Sequence, residues 1–177
     1  MMRTSFASVA LCLGLLSACS SEAPLAPYPL TAAAPAPAKR PFAVSVDAPT
    51  VAANLDSERI LVKDHGEPLV LADARWPQPL PAMVAARISD ALASPEGPAR
   101  IRLSLDIRRF ELIAERKTVV IVIDATALDA TGARPLRHRA FSASVSVPTT
   151  KPQDVVAGFD RAFAGVQRRL AAFAYDP

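Results

Sequence analysis

Residues 99–110 read ARIRLSLDIRRF, and no other stretch limits the possible folds of this chain so tightly. Side chains of an extended strand point alternately to opposite faces. Ile101, Leu103, Leu105 and Ile107 therefore take one side, and Arg100, Arg102, Ser104, Asp106 and Arg108 take the other. A strand with one apolar and one charged face belongs to a sheet covered on one side only, which is the habit of antiparallel sheets. The rest of the chain has to supply neighbouring strands and an apolar cover for that one face.

Both are legible. FAVSV at 42–46 is a short strand, and ERILVKD and PLVLAD flank a turn at Asp64-His65-Gly66 in which Gly66 is free to take positive φ. Val119 to Ile123 is apolar on both faces, as a central strand requires. DATG at 129–132 reads as a hairpin turn, and Phe141, Ala143, Val145 and Val147 then alternate with serines. Two segments carry helical spacing instead. Leu80, Val84, Ile88 and Leu92 recur every four residues, with prolines at 77, 79 and 81 in the approach and first turn. Val155, Phe159, Phe163, Val166, Leu170 and Phe173 form the stripe of a long C-terminal helix, with Thr150 as a candidate cap. The expected fold is α+β: an antiparallel sheet with both helices packed on one face, in a single domain over residues 42–177.

What precedes the domain has a different texture. Arg3, then an apolar run from Phe6 to Leu16, then Ser17 and Ala18, have the order of a secretory signal over residues 1–18. The run is shorter than the roughly 20 residues that cross a bilayer. Leu16-Ser17-Ala18-Cys19 resembles the lipobox of bacterial lipoproteins, in which the thiol takes a diacylglycerol and the signal is cut just before it. Of the two cysteines, Cys12 lies inside the signal, so Cys19 has no disulfide partner downstream. The resemblance implies lipidation at Cys19, and three acyl chains would hold durably where one holds only marginally. Ser20 follows in place of the aspartate of inner-membrane retention, which by the same resemblance implies the periplasmic face of the outer membrane. Residues 19–41 are then the lipidated cysteine and a tether. Its six prolines and many alanines show no helix or strand period, and at ~3.1 Å per residue an extended proline-rich segment reaches at most about 70 Å. Whether it spaces the domain or is merely a tail, composition leaves open.

The chemistry is mostly absent. Loss of Arg3 with the signal leaves 19 basic residues against 17 acidic ones, a charge of +2, so a pI near 9.2 is no sign of nucleic-acid binding. His65 and His138 are far apart in sequence, and no phosphate-cradling glycine loop, HExxH or Gly-x-Ser-x-Gly is present. No cysteine, histidine and carboxylate set has metal-ligand spacing. The expectation is no enzyme, no metal and no cofactor.

Three surface features have two readings each. Trp76, after Asp73-Ala74-Arg75, either closes the core with its indole N–H on a carbonyl or, with Arg75, meets a partner. Arg100, Arg102, Arg108 and Arg109, with Arg134, Arg137 and Arg139, form either a solvated face interleaved with Asp106 and Glu111 or a basic face for headgroups or an acidic partner. The smooth strand from Ala140 to Ser146 is either simply exposed or an edge that pairs with another subunit. The candidate partner contacts are Arg75, Trp76, Arg100, Arg102, Arg137 and Arg139.

The order of the pieces resembles the ABC-type transport auxiliary lipoproteins. The resemblance rests on Arg59-Ile60-Leu61-Val62 followed by Arg75-Trp76-Pro77-Gln78-Pro79-Leu80, on the lipobox and tether before them, and on the wet-faced strand, apolar strand and C-terminal helix after them. It implies a non-enzymatic outer-membrane component of an MCE-type system, in which an MCE protein and an ABC permease complex move lipid between the two membranes, and it leaves room for a homo-oligomer. The alternative is a cell-envelope regulator or assembly-factor lipoprotein, tethered so as to act on a peptidoglycan synthase or an outer-membrane machine.

Overall fold

Strand β6 (Ala99–Ile113) is the backbone of the fold in the computed structural model, which describes residues 25–31, 41–92 and 98–175. The signal segment 1–18, Cys19, and residues 32–40 of the proline-rich segment lie outside the described residues. On one side β6 pairs antiparallel with β7 (Thr118–Asp129), and β7 pairs antiparallel with β8 (Pro135–Ser146). On its other side three short strands follow one another along its length. These are β2 (Ala43–Val46), β3 (Thr50–Val51) and β4 (Arg59–Asp64), and each runs parallel to β6.

The sheet is thus mixed, which corrects the expectation of an antiparallel sheet throughout. The physical reason lies in the connections. Antiparallel neighbours need only a hairpin, whereas parallel ones need a crossover of a dozen or more residues. The segment between β4 and β6 is long enough, since it holds β5 (Glu67–Arg75) and helix α1 (Leu80–Ala91). β4 and β5 form a tight hairpin whose two turn residues, His65 and Gly66, both have positive φ, at 48° and 91°. That is the twist which two-residue hairpins prefer.

Helix α2 (Pro152–Tyr175) lies across β7 and β8, and α1 packs beside α2 and against β2. Ile101, Leu103, Leu105 and Ile107 of β6 and Val119, Ile121, Ile123, Ala125 and Ala127 of β7 are buried on the helix side. α2 closes the core with Val155, Phe159, Phe163, Val166 and Leu170, all fully buried. Gly158 brings this helix close: a Cβ there would stand 2.4 Å from Val147 and 3.2 Å from Val119. The residue that ties down the start of α2 is Thr149, not Thr150. Its hydroxyl donates to Asp154 and accepts from the Lys151 N–H.

The alternation of β6 breaks once. Ile107 faces Ile123 and Arg109 faces Val122, so Arg108 is an extra residue without a partner across the ladder. This bulge reverses the parity. Beyond it Phe110 and Leu112 face the helices, and Arg109 and Glu111 face away.

Candidate functional site

The first described residues belong to the domain. β1 (Ala26–Pro27) adds a parallel strand to the outer edge of β5, with Ala26 beside Ala74 and Pro27 beside Arg75. The Tyr28 N–H then donates to the Arg75 carbonyl at 2.8 Å, and Leu30 is buried in the core. Thr31 makes a two-point clasp on α2: its N–H donates to one oxygen of Asp160 at 2.7 Å and its hydroxyl to the other at 2.8 Å. Arg87 of α1 donates to the Thr31 carbonyl. Packed structure is therefore present from residue 25, well before the composition change at Phe42. Proline and alanine hide it, because an arm that borrows its strand partner and its clasp from distant residues has no period of its own.

Trp76 is 1% exposed and lies between Phe110 and Phe159. Its ring meets those of Phe110 and Phe159 edge-on at 5.8 and 5.3 Å, and the two phenyl rings stack at 4.8 Å. A side chain this deep presents no surface to a partner, which corrects its placement among the partner contacts. Its backbone N–H donates to the Glu58 carbonyl. No carbonyl receives the indole N–H among the described residues. Arg75 forks between the Glu58 carboxylate at 2.7 Å and the Trp76 carbonyl at 3.2 Å.

The arginines do not share a face. Arg100 and Arg102 stand on the side away from the helices, where Arg102 pairs with Asp47 at 2.7 Å. Arg100 is exposed and has no ion pair among the described residues. Arg108 bridges Asp106 and Asp124, each at 3.0 Å, and Arg109 pairs with Glu111 at 2.6 Å. Arg137 and Arg139 lie on the helix side, both over the Phe173 ring, and Arg137 donates to the Phe173 carbonyl near the end of α2. Register explains the split: Arg137 and Arg139 oppose Ala127 and Ala125, which are core residues of β7. The outer edge of β8 is partly occupied as well. Arg169 and Arg161 of α2 donate to the Ser142 and Ser146 carbonyls, groups that an added strand would need.

His65 sits exposed on the β4–β5 turn beside Asp64, and His138 is exposed on β8, so the fold does not bring the two together. No group of three or more histidines, cysteines or acids among the described residues has a geometry that could hold a metal ion. One feature had no signal in the sequence. A cleft of about 230 Å³ opens on the sheet face away from the helices, walled by Leu61, Val62, Gly66 and Pro68. Asn54, Lys63 and Glu111 supply its polar groups. Glu111 reaches it only because of the bulge at Arg108, and strict alternation would have sent this carboxylate into the core.

Residues 25–171 match the family described as the ABC-type transport auxiliary lipoprotein component. An uncharacterized protein of Bradyrhizobium diazoefficiens, bll6063, is 30% identical over 139 residues. That match takes in 72% of this chain, which spans only 38% of the length of that relative. Protein XCC0632 of Xanthomonas campestris has a solved structure that is similar with a TM-score of 0.75 at 26% identity, over 85% of this chain and 95% of the other. The hypothetical protein CT253 of Chlamydia trachomatis shares the fold at a TM-score of 0.50 and 12% identity, over 77% and 98% of the two chains. No helix among the described residues is long and apolar enough to cross a membrane.

Proposed function

The chain belongs to the ABC-type transport auxiliary lipoprotein family, and on that premise we propose that it is the outer-membrane adaptor of an MCE-type lipid transport system. The observation that carries this reading is the extent of the family match, which covers the N-terminal arm and the folded domain up to Ala171 in the last turns of α2. In this reading Cys19 is the lipidated anchor, and the domain works without catalysis on the periplasmic face of the outer membrane. It docks the periplasmic end of an MCE protein. The energy comes from the permease complex in the inner membrane, because the sequence holds no nucleotide-binding motif.

Of the candidate partner contacts, Arg100 is the most available, being exposed and free of an ion pair among the described residues. Arg75 and Arg102 already hold acids of their own chain, so a partner would have to compete with Glu58 and Asp47. Several copies around an MCE tunnel would suit a one-domain adaptor. Crosslinking in intact cells followed by pull-down tests the proposal. Recovery of an MCE protein is expected. Repeated recovery of peptidoglycan synthases with no MCE protein would replace it with the envelope-regulator reading. For the anchor, mass spectrometry should find Cys19 as the modified first residue, and an unmodified N-terminus at any other residue would remove it.

A further inference from the structure

Across the sheet face away from the helices, Val70, Leu61, Glu111 and Val120 stand side by side in one row, from β5 through β4 and β6 to β7. Pro68, Lys63 and Ile113 form the adjoining row. The cleft lies where the two rows meet under the short 3₁₀ turn at Ala53–Leu55. Its charges are unusual in two respects. Glu111 is 7% exposed, and its one polar contact among the described residues is Arg109 Nε on Oε1. A carboxylate can accept about four hydrogen bonds, so most of its capacity is unused, and it lines the cleft. Lys63 lines the same cleft and has no carboxylate partner, in Glu111 or elsewhere, among the described residues. The Asn54 amide is likewise without a hydrogen bond among them. Opposite charges thus face one small space without neutralising each other.

We propose that this cleft binds the headgroup of a zwitterionic phospholipid that carries a primary ammonium. Glu111 takes the ammonium, and Lys63 with Asn54 takes the phosphate. The inference deepens the proposed transport role, on which its choice of a lipid source rests, by naming the class of lipid this subunit touches. Each part of the ligand follows from a feature of the site. A purely anionic headgroup would meet the nearly buried Glu111 carboxylate, and a simple cation would meet Lys63. A quaternary ammonium has no N–H to donate, and no aromatic ring lines the cleft to cradle one. The volume is below the roughly 300–1,000 Å³ of pockets that engulf drug-sized ligands, so a headgroup fits and acyl chains stay outside.

The acyl chains have a place to lie. Val70, at 44% exposure one of the exposed large hydrophobic residues among those described, stands on the cleft's face beside Leu61 and two residues from Pro68 of the cleft wall. The anchor lies near as well. Cys19 is seven residues before Ala26, and an extended chain spans at most ~3.6 Å per residue, so lipid attached there stays within about 25 Å of Ala26 on the edge of β5.

Native mass spectrometry of the full-length protein, purified from membranes in a non-ionic detergent, tests this. The protein is offered equal amounts of phosphatidylethanolamine, phosphatidylcholine and phosphatidylglycerol. Retention of phosphatidylethanolamine about tenfold above the other two is expected, the worth of one charge-assisted hydrogen bond. Glu111→Gln and Lys63→Met should each lower it about tenfold, while Lys151→Met, at an exposed and remote lysine, should not. Equal retention of the three lipids, or retention unchanged in both cleft variants, would overturn the proposal. Binding of soluble glycerophosphoethanolamine as tight as that of the lipid would overturn the bilayer as its source and leave the headgroup chemistry standing. No MCE protein enters the assay. Selective lipid binding without MCE capture would leave the cleft and remove the transport reading, and the reverse result would remove the cleft alone.

Discussion

Gly158 and Gly165 are two glycines on one helix with opposite roles. A Cβ at 158 would collide with Val147, whereas at 165 it would meet nothing within 4 Å. Gly158→Ala should therefore cost ~1–3 kcal/mol through overpacking. Gly165→Ala should add up to ~1 kcal/mol through helix propensity. Paired denaturant titrations read both, and equal effects would show that α2 does not rest on the sheet through Gly158. Phe163 is fully buried and packs edge-on to Phe110 at 6.2 Å. Phe163→Ala should cost ~3–5 kcal/mol in the same assay, and a loss under about 1 kcal/mol, the range of surface changes, would contradict its burial. In the β7–β8 turn, the Thr131 hydroxyl and then the amides of Arg134, Ala133 and Gly132 hold the Asp129 carboxyl below its ordinary value of 3.8, against a smaller opposing effect of desolvation. A lowered carboxyl ties the turn at all pH values above 3.8 and releases it as the pH falls through the lowered value. NMR titration of the Ala133 and Arg134 amides should place the midpoint below 3.8, and Thr131→Ala should move it upward.

β6 is an element that performs two tasks because of one unpaired residue. Up to Ile107 its odd-numbered side chains fill the core, and after Arg108 the even-numbered ones do. Deleting Arg108 would remove the bulge and leave Ile107, Arg109 and Phe110 in strict alternation, so that Phe110 and Leu112 still face the core and Arg109 and Glu111 still face away. What is lost is the local bend and twist of the bulge, together with the exposed ion pairs of Arg108. The expected outcome is a cooperative unfolding transition that is kept, and its loss would mean that the bend at the bulge is itself needed for the strand to pack. Arg108→Ala keeps the extra residue and gives up only the ion pairs, so it should stay within about 1 kcal/mol of wild type and separates their effect from that of the bulge.

At the scale of the whole molecule, the docked arm changes how far the domain can stand from a membrane. Without β1 the proline-rich segment would give a reach of about 70 Å. With Ala26 held on β5 and Thr31 clasped to Asp160, an anchor at Cys19 is limited to about 25 Å from Ala26. Asp160→Ala combined with Leu30→Ala should free the arm and let the domain move outward. Neutron reflectometry on supported bilayers carrying the lipidated protein should show the protein layer thickening by tens of ångströms in that double variant. An unchanged layer would mean that the arm does not set the distance.

Local periodicity carried six of the eight strands, both helices and the identity of the helix-side core, because apolar residues at period two or 3.6 report directly which face of an element is buried. The family was legible too, since its pieces follow one another in order along the chain. What the tertiary structure alone decided is whatever depends on partners distant in sequence. The parallel pairing of β2, β3 and β4 rests on crossovers whose direction no local pattern states. The arm at 25–31 is ordered by Arg75, Asp160 and Arg87. Register put Arg137 and Arg139 under the end of α2 and left Arg100 and Arg102 on the opposite face. The cleft exists because a single bulge at Arg108 turns Glu111 toward Lys63, and one inserted residue in a strand leaves no mark in composition or period that separates it from a simple end of alternation.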